Sequence, residues 1–145
     1  MITCQVSDLL AEDSILMEEA IKATELSYAP YSNFHVGAAI LLSNGEIVRG
    51  ANQENASYPC GICAERSALA TAQNLYPDVP VVAMALAAKK GGEVVQEPVT
   101  PCGMCRQVIA ETQQRYQADI RILMTSAQKV LIANSISELL PHSFI

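Results

Sequence analysis

Pro101-Cys102-Gly103-Met104-Cys105 sets two thiols three positions apart, and Cys63 supplies a third, with Glu65 two residues beyond it. Two thiolates at that spacing, at a helix start, grip one ion from a single turn, and the ion they favour is zinc. Helix N-termini present unpaired N–H groups and a positive dipole end, which stabilise thiolate over thiol. Three thiolates leave the fourth tetrahedral position for water, the arrangement of a catalytic zinc. Glu65 supplies a carboxylate where such a water needs a proton acceptor. Cys60-Gly61-Ile62-Cys63 also scans as a second Cys-x-x-Cys, which allows a closed four-cysteine structural site. The long, structured spacer between the pairs and the size of the chain weigh against that reading. Cys60 is therefore expected to be a small loop residue.

The elements that must position these residues follow from periodicity and breakers. Ser7 and Asp8 offer cap oxygens to a helix running to about Ser27, with Leu16, Met17, Ala20, Ile21 and Ala23 on its apolar face. A strand is expected from Phe34 to Leu42, and Ser43-Asn44-Gly45 turns it into a second ending near Asn52. Gln53 to Gly61 reads as loop. Helices are expected from Cys63 to Leu75 and Cys102 to Tyr116, and strands at Val81–Ala88, Ile120–Thr125 and Val130–Ala133. A helical turn is expected at Ser137–Leu140. Alternation of strand and helix implies an α/β sheet covered on both faces. The 145 residues suit a single domain, and half of them are hydrophobic.

Only 17% of residues are charged, so much of the surface is small and apolar, as subunit packing requires. Fifteen acidic against nine basic residues leave a net charge of −6, which repels a polyanion. There is no Trp, no basic run, and few aromatic residues for a single-strand stacking groove. No nucleic-acid partner and no membrane partner are expected. The first residues show neither the basic start nor the apolar stretch of a secretory signal, and no run is long enough to span a bilayer. The cytoplasm is the expected compartment, with its five cysteines reduced. The balance favours a small neutral ligand.

Cys63-Ala64-Glu65 followed by Pro101-Cys102-Gly103-Met104-Cys105 resembles the zinc nucleoside and nucleobase deaminases. Cys rather than His at position 63, with Glu65-Arg66 after it, resembles the small homotetrameric cytidine deaminases. Ala29-Pro30-Tyr31-Ser32-Asn33-Phe34-His35-Val36-Gly37-Ala38-Ala39 is similar to that family's first strand and its approach. Asn52-Gln53-Glu54-Asn55-Ala56-Ser57-Tyr58 is similar to its ribose-binding segment, and Glu138-Leu139-Leu140-Pro141-His142-Ser143-Phe144 to its closing motif. Two departures stand out. Lys89-Lys90-Gly91-Gly92 replaces the family's usual Asp after the central strand, and His35 stands where many members have Pro.

The resemblance implies a three-layer α/β/α sandwich with a central mixed five-stranded sheet, one Zn²⁺ per subunit, and a homotetramer whose active sites are shared between subunits. It implies hydrolytic deamination of cytidine or 2′-deoxycytidine, Glu65 moving protons from water to ring nitrogen N3 and then to the departing amine. Arg66 would offset the negative charge of three thiolates on one Zn²⁺. Phe34 would pack on the pyrimidine, Asn52 and Glu54 would take ribose hydroxyls, and Ala64 would offer backbone groups to the base. Tyr58 would contact the ribose across a subunit interface, and Phe144 would reach the base from a neighbouring subunit. Roles for Arg106 and Gln107 stay open, and neither His35 nor His142 is assigned to zinc. A deaminase of another aminopyrimidine, such as a blasticidin-type antibiotic, and a non-enzymatic four-cysteine zinc module are the competing readings.

Overall fold

A computed structural model describes residues 1–145, with helix α1 at Ala11–Ala23, α2 at Ala64–Leu75 and α3 at Gly103–Tyr116. The strands are β1 (Ile2–Gln5), β2 (Phe34–Leu42), β3 (Ile47–Ala51), β4 (Val81–Lys90), β5 (Glu93–Val94), β6 (Arg121–Thr125) and β7 (Lys129–Ala133). They form one mixed sheet in the order β1-β7-β6-β4-β2-β3, with β5 on the end of β4. Only β4 and β6 run parallel. The expected five strands are all present. The two extra ones are β1, which covers the otherwise open edge of β7, and β5, which the Gly91-Gly92 turn folds back onto Lys89 and Lys90.

Side chains on β4 divide the core. Ala83, Ala85 and Ala87 point to one face and pack with Leu16, Met17 and Ala20 of α1. Met84 and Leu86 point to the other and pack with Ala68, Leu69 and Ala72 of α2 and Ile109 and Ala110 of α3. Period-two alternation thus produces the three layers. Small residues let the helices come close. A Cβ on Gly37 would lie 2.2 Å from the Ala20 carbonyl oxygen, and one on Gly50 would lie 2.4 Å from the Ala68 nitrogen. Buried Asp13 of α1 takes a two-pronged ion pair from Arg121 of β6, which fixes the helix along the sheet.

The helix expected from Ser7 begins later. β1 pairs with β7, and Val6 N–H donates to the Gln128 carbonyl at 2.8 Å, so the sheet holds this segment and Ser7 and Asp8 lie in a 3₁₀ turn. Leu10 caps α1 without a side-chain bond. At its far end the chain tightens into a 3₁₀ turn, Thr24–Leu26, and reaches Ser27 extended. No helix is long and apolar enough to cross a membrane.

Candidate active site

Helices α2 and α3 lie on one face of the sheet and begin at the same end of it. That end is where β2 starts, since Phe34 pairs with Lys90 of β4 and Gly37 with Ala51 of β3. Cys63 is the N-cap of α2 and Cys102 the N-cap of α3, both with extended backbone. Cys105 follows in the first turn of α3 and is buried. Two positive helix ends therefore converge on three sulfurs.

The Cys63 and Cys102 sulfurs are 3.8 Å apart, those of Cys102 and Cys105 are 3.4 Å apart, and all three lie within 4.8 Å of one another. Zinc–sulfur bonds of about 2.3 Å in tetrahedral geometry put sulfurs about 3.8 Å apart, so the triangle fits that ion. Their protonation fits as well. The hydrogen bond with Cys105 brings Cys63 down to about 5, while the same bond and burial push Cys105 up. One thiolate is held readily by this cluster, and further ones call for a cation. Cys60 is exposed on the turn Tyr58–Cys60 and stands outside the group of three, which removes the four-cysteine site.

Arg66 faces the cluster. Its Nε is buried with no hydrogen-bond partner in the protein. Burial works against its charge, but the sulfurs of Cys63 and then Cys105 outweigh it and hold the guanidinium more firmly protonated. The donor set and this poised cation match a thiolate-bound dication. Glu65 is 5% exposed, and burial first, with the charge of Cys63 second among the raising effects, moves its carboxyl above the usual range. It lies at the first turn of α2, so the helix places it beside the sulfurs.

A cavity of about 780 Å³ opens in front of this group. That volume accommodates a small organic molecule. Its walls include Cys63, Cys102, Glu65, Arg66, Ala64, Phe34, Asn52, Glu54 and Tyr58. All the expected site residues except Cys105 and Phe144 therefore meet on one cavity. Cys105 lies beneath it in the sulfur cluster. Phe144 is 88% exposed and absent from the lining, and its carbonyl accepts a 2.6 Å bond from Gln107 Nε2.

Hydrogen bonds fix the polar wall. Glu54 Oε1 accepts from the N–H groups of Tyr31 and Ser32 at 3.0 and 3.2 Å. The Ser32 hydroxyl first, then those N–H groups, hold Glu54 below the usual carboxyl range. Asn52 Nδ2 donates to the Phe34 carbonyl at 2.9 Å, and its Oδ1 accepts from Val36 N–H at 2.9 Å. Asn33 takes a left-handed φ of 54°, which turns the chain into β2 at Phe34. Tyr58 meets Tyr31 edge-on at the rim, with centroids 6.2 Å apart.

Some lining was not anticipated. Val36, Leu86, Val99 and Met104 complete the apolar wall, with Thr100 beside them. Pro98 and Pro101, which keep the residues before them out of helix, bracket Val99 and Thr100. Arg106 does not serve the sulfurs: it donates to the Pro101 and Leu139 carbonyls, both at 2.8 Å, tying the loop before α3 to the C-terminal segment. His35 stands 3.4 Å from Asn33 Oδ1, away from the cluster. At the end of β4, where the sequence departs from the family pattern, Lys89 pairs with Glu25 at 2.9 Å.

Residues 10–118 match the family described as the cytidine and deoxycytidylate deaminase zinc-binding region. The chain is 45% identical over 130 residues to cytidine deaminase of Halalkalibacterium halodurans, covering 90% of this chain and 92% of that protein. The crystal structure of cytidine deaminase from Burkholderia pseudomallei is similar with a TM-score of 0.78 at 37% identity, over 94% of this chain and 100% of that one. A more distant relative is blasticidin-S deaminase of Bacillus cereus, 32% identical over 136 residues and 92% of each chain. A zinc-shaped sulfur triangle beside a buried glutamate, within a match that spans most of the sequence, establishes that the chain belongs to the cytidine and deoxycytidylate deaminase family.

Proposed function

We propose that residues 1–145 form one catalytic domain that hydrolyses cytidine and 2′-deoxycytidine to uridine and 2′-deoxyuridine with release of ammonia. The observation that carries the reading is the placement of Glu65 and the sulfur cluster on the same cavity as Phe34, Asn52 and Glu54. Cys63, Cys102 and Cys105 hold the metal. Bound there, zinc supplies the Lewis acidity that makes water a nucleophile at neutral pH. Glu65 takes the proton released as water adds to C4 and passes it to N3. It then takes the proton of the new C4 hydroxyl and delivers it to the amine as the C4–N bond breaks and the C4 carbonyl forms. The raised proton affinity of Glu65 suits a group that must both accept and donate.

Phe34 packs on the pyrimidine face, and Ala64 presents backbone groups to the base. Asn52 and Glu54 hold the ribose hydroxyls, with Tyr58 beside them at the rim. Arg66 balances the charge of the sulfurs. Phe144 leaves its own subunit and closes a neighbouring site in a homotetramer, a reading supported by its exposure and by the anchoring of its carbonyl to Gln107. Net charge of −6 supports a small-molecule substrate over a nucleic acid, and five free cysteines support a reducing, cytoplasmic setting.

Kinship to blasticidin-S deaminase supports a second reading, deamination of another aminopyrimidine, but at lower identity than the kinship to cytidine deaminases. Purified, zinc-loaded protein is given cytidine, 2′-deoxycytidine and blasticidin S while ultraviolet absorbance is followed. Deamination of the first two is the expected result. Turnover of blasticidin S alone, or of none of the three, overturns the proposal.

A further inference from the structure

We infer that Ser27 is a positioning residue for nucleoside recognition, locking the Asn52 amide so that its free N–H faces the nucleoside. The inference rests on the ribose role proposed above for Asn52. Ser27 Oγ donates to Asn52 Oδ1 at 2.5 Å, the same oxygen that accepts the Val36 N–H at 2.9 Å. Both lone pairs of Oδ1 are then occupied. On the other side, one hydrogen of Nδ2 goes to the Phe34 carbonyl. The second has no acceptor in the protein, and Asn52 lines the cavity. The polarity of the two main-chain partners fixes which way the amide points, and the serine hydroxyl fixes its tilt.

Ser27 is itself held from outside the site. Its N–H donates to the Thr24 carbonyl at 3.2 Å, at the end of the turn that follows α1. Its neighbour Tyr28 donates from N–H to the Asn52 carbonyl at 3.0 Å, so main chain and side chain grip Asn52 together. Ser27 does not line the main cavity. It lines a separate polar hollow with Thr24, Asn33 and His35, and so acts on the nucleoside only through Asn52. A chain of hydrogen bonds, Ser27 to Asn52 to sugar, also polarises the amide and strengthens its outer N–H.

Steady-state kinetics on Ser27→Ala, Ser27→Thr and Asn52→Ala test this, with cytidine against 2′,3′-dideoxycytidine as alternative substrate or competitive inhibitor. In Ser27→Ala, KM for cytidine rises about three- to tenfold, the value of one neutral hydrogen bond, while kcat stays within about twofold. The constant for the dideoxynucleoside stays unchanged, and Ser27→Thr restores the cytidine KM. An equal change for both nucleosides in Ser27→Ala, or none, overturns the inference while leaving Asn52 in place if Asn52→Ala lowers the preference for cytidine. If Asn52→Ala keeps that preference intact, the ribose role of Asn52 falls and the role of Ser27 falls with it.

Discussion

Gly50→Ala is a one-methyl change on β3, outside the sulfur cluster, that ought to damage it. The new Cβ would lie 2.4 Å from Ala68 N, 2.7 Å from Ala68 Cα and 2.8 Å from Ala68 Cβ. Comfortable carbon contacts lie near 3.5–4.0 Å, so α2 must retreat from β3 by about 1 Å. Two of the colliding atoms belong to the helix backbone, and no rotamer relieves them. Overpacking of this kind costs about 1–3 kcal/mol, which lowers Tm by about 3–10 °C at this chain length. The functional effect is larger. α2 carries Cys63 at its cap and Glu65 in its first turn, whereas Cys102 and Cys105 ride on α3. A metal site tolerates errors of about 0.2 Å in its bond lengths, and a 1 Å misplacement of a catalytic group costs about 10²-fold in rate. Thermal melting, zinc content and kcat/KM for cytidine should be measured together. Gly45→Ala is the control, since its φ of +87° makes alanine unfavourable by about 1–2 kcal/mol while its Cβ meets nothing within 4 Å. The control should lose stability but keep zinc and kcat/KM. Gly50→Ala with unchanged melting and kcat/KM would refute the close-approach argument.

Asp13→Ala leaves Arg121 beneath α1 with only the exposed Glu12, 4.0 Å away, as an ionic partner. With side-chain exposures of 4% and 29%, the pair is buried enough that urea unfolding should register a loss of about 2–4 kcal/mol, the partial exposure of Arg121 softening the cost. A loss under about 0.5 kcal/mol would show the ion pair to be idle. Zinc affinity should fall as pH falls between about 8 and 6, by about tenfold per unit for each thiol proton displaced. The sign follows from Cys105, whose raised proton affinity keeps its thiol protonated until the metal expels that proton, whereas Cys63 is already ionised above about 5. Competition with a chelator at several pH values measures this, and a flat profile contradicts it.

The central strand pair and both zinc-bearing helices were legible because their signals are local. β2 runs Phe34–Leu42 as its alternation and the Asn44-Gly45 turn required, and α2 and α3 start one residue after their cysteine caps. β1 escaped notice because four residues, Ile-Thr-Cys-Gln, become a strand only through their partner Lys129–Ile132, a contact made across almost the whole chain. Ser7 and Asp8 looked like caps for the same reason, since capping propensity gave way to sheet pairing. The sulfur set followed from spacing and chemistry. Glu54 and Asn52 could be placed near the ribose only by resemblance, and their hydrogen bonds to Tyr31, Ser32, Phe34 and Val36 lie outside any sequence motif. The role of Arg106, left open by its place next to Cys105 in sequence, is decided only by the fold, in which it donates to the Pro101 and Leu139 carbonyls.

The central claim is that a protein-bound proton carrier, Glu65, works beside a zinc ion held by three cysteines. Glu65→Gln preserves the size of the side chain and removes its proton chemistry. Zinc content and the rate of cytidine deamination measured on the same preparation separate the two functions. The account predicts about one zinc per chain, as in the unaltered protein, with turnover reduced by more than the 10²–10⁴-fold usual for acid–base groups. Turnover close to that of the unaltered protein, at equal zinc content, would contradict it.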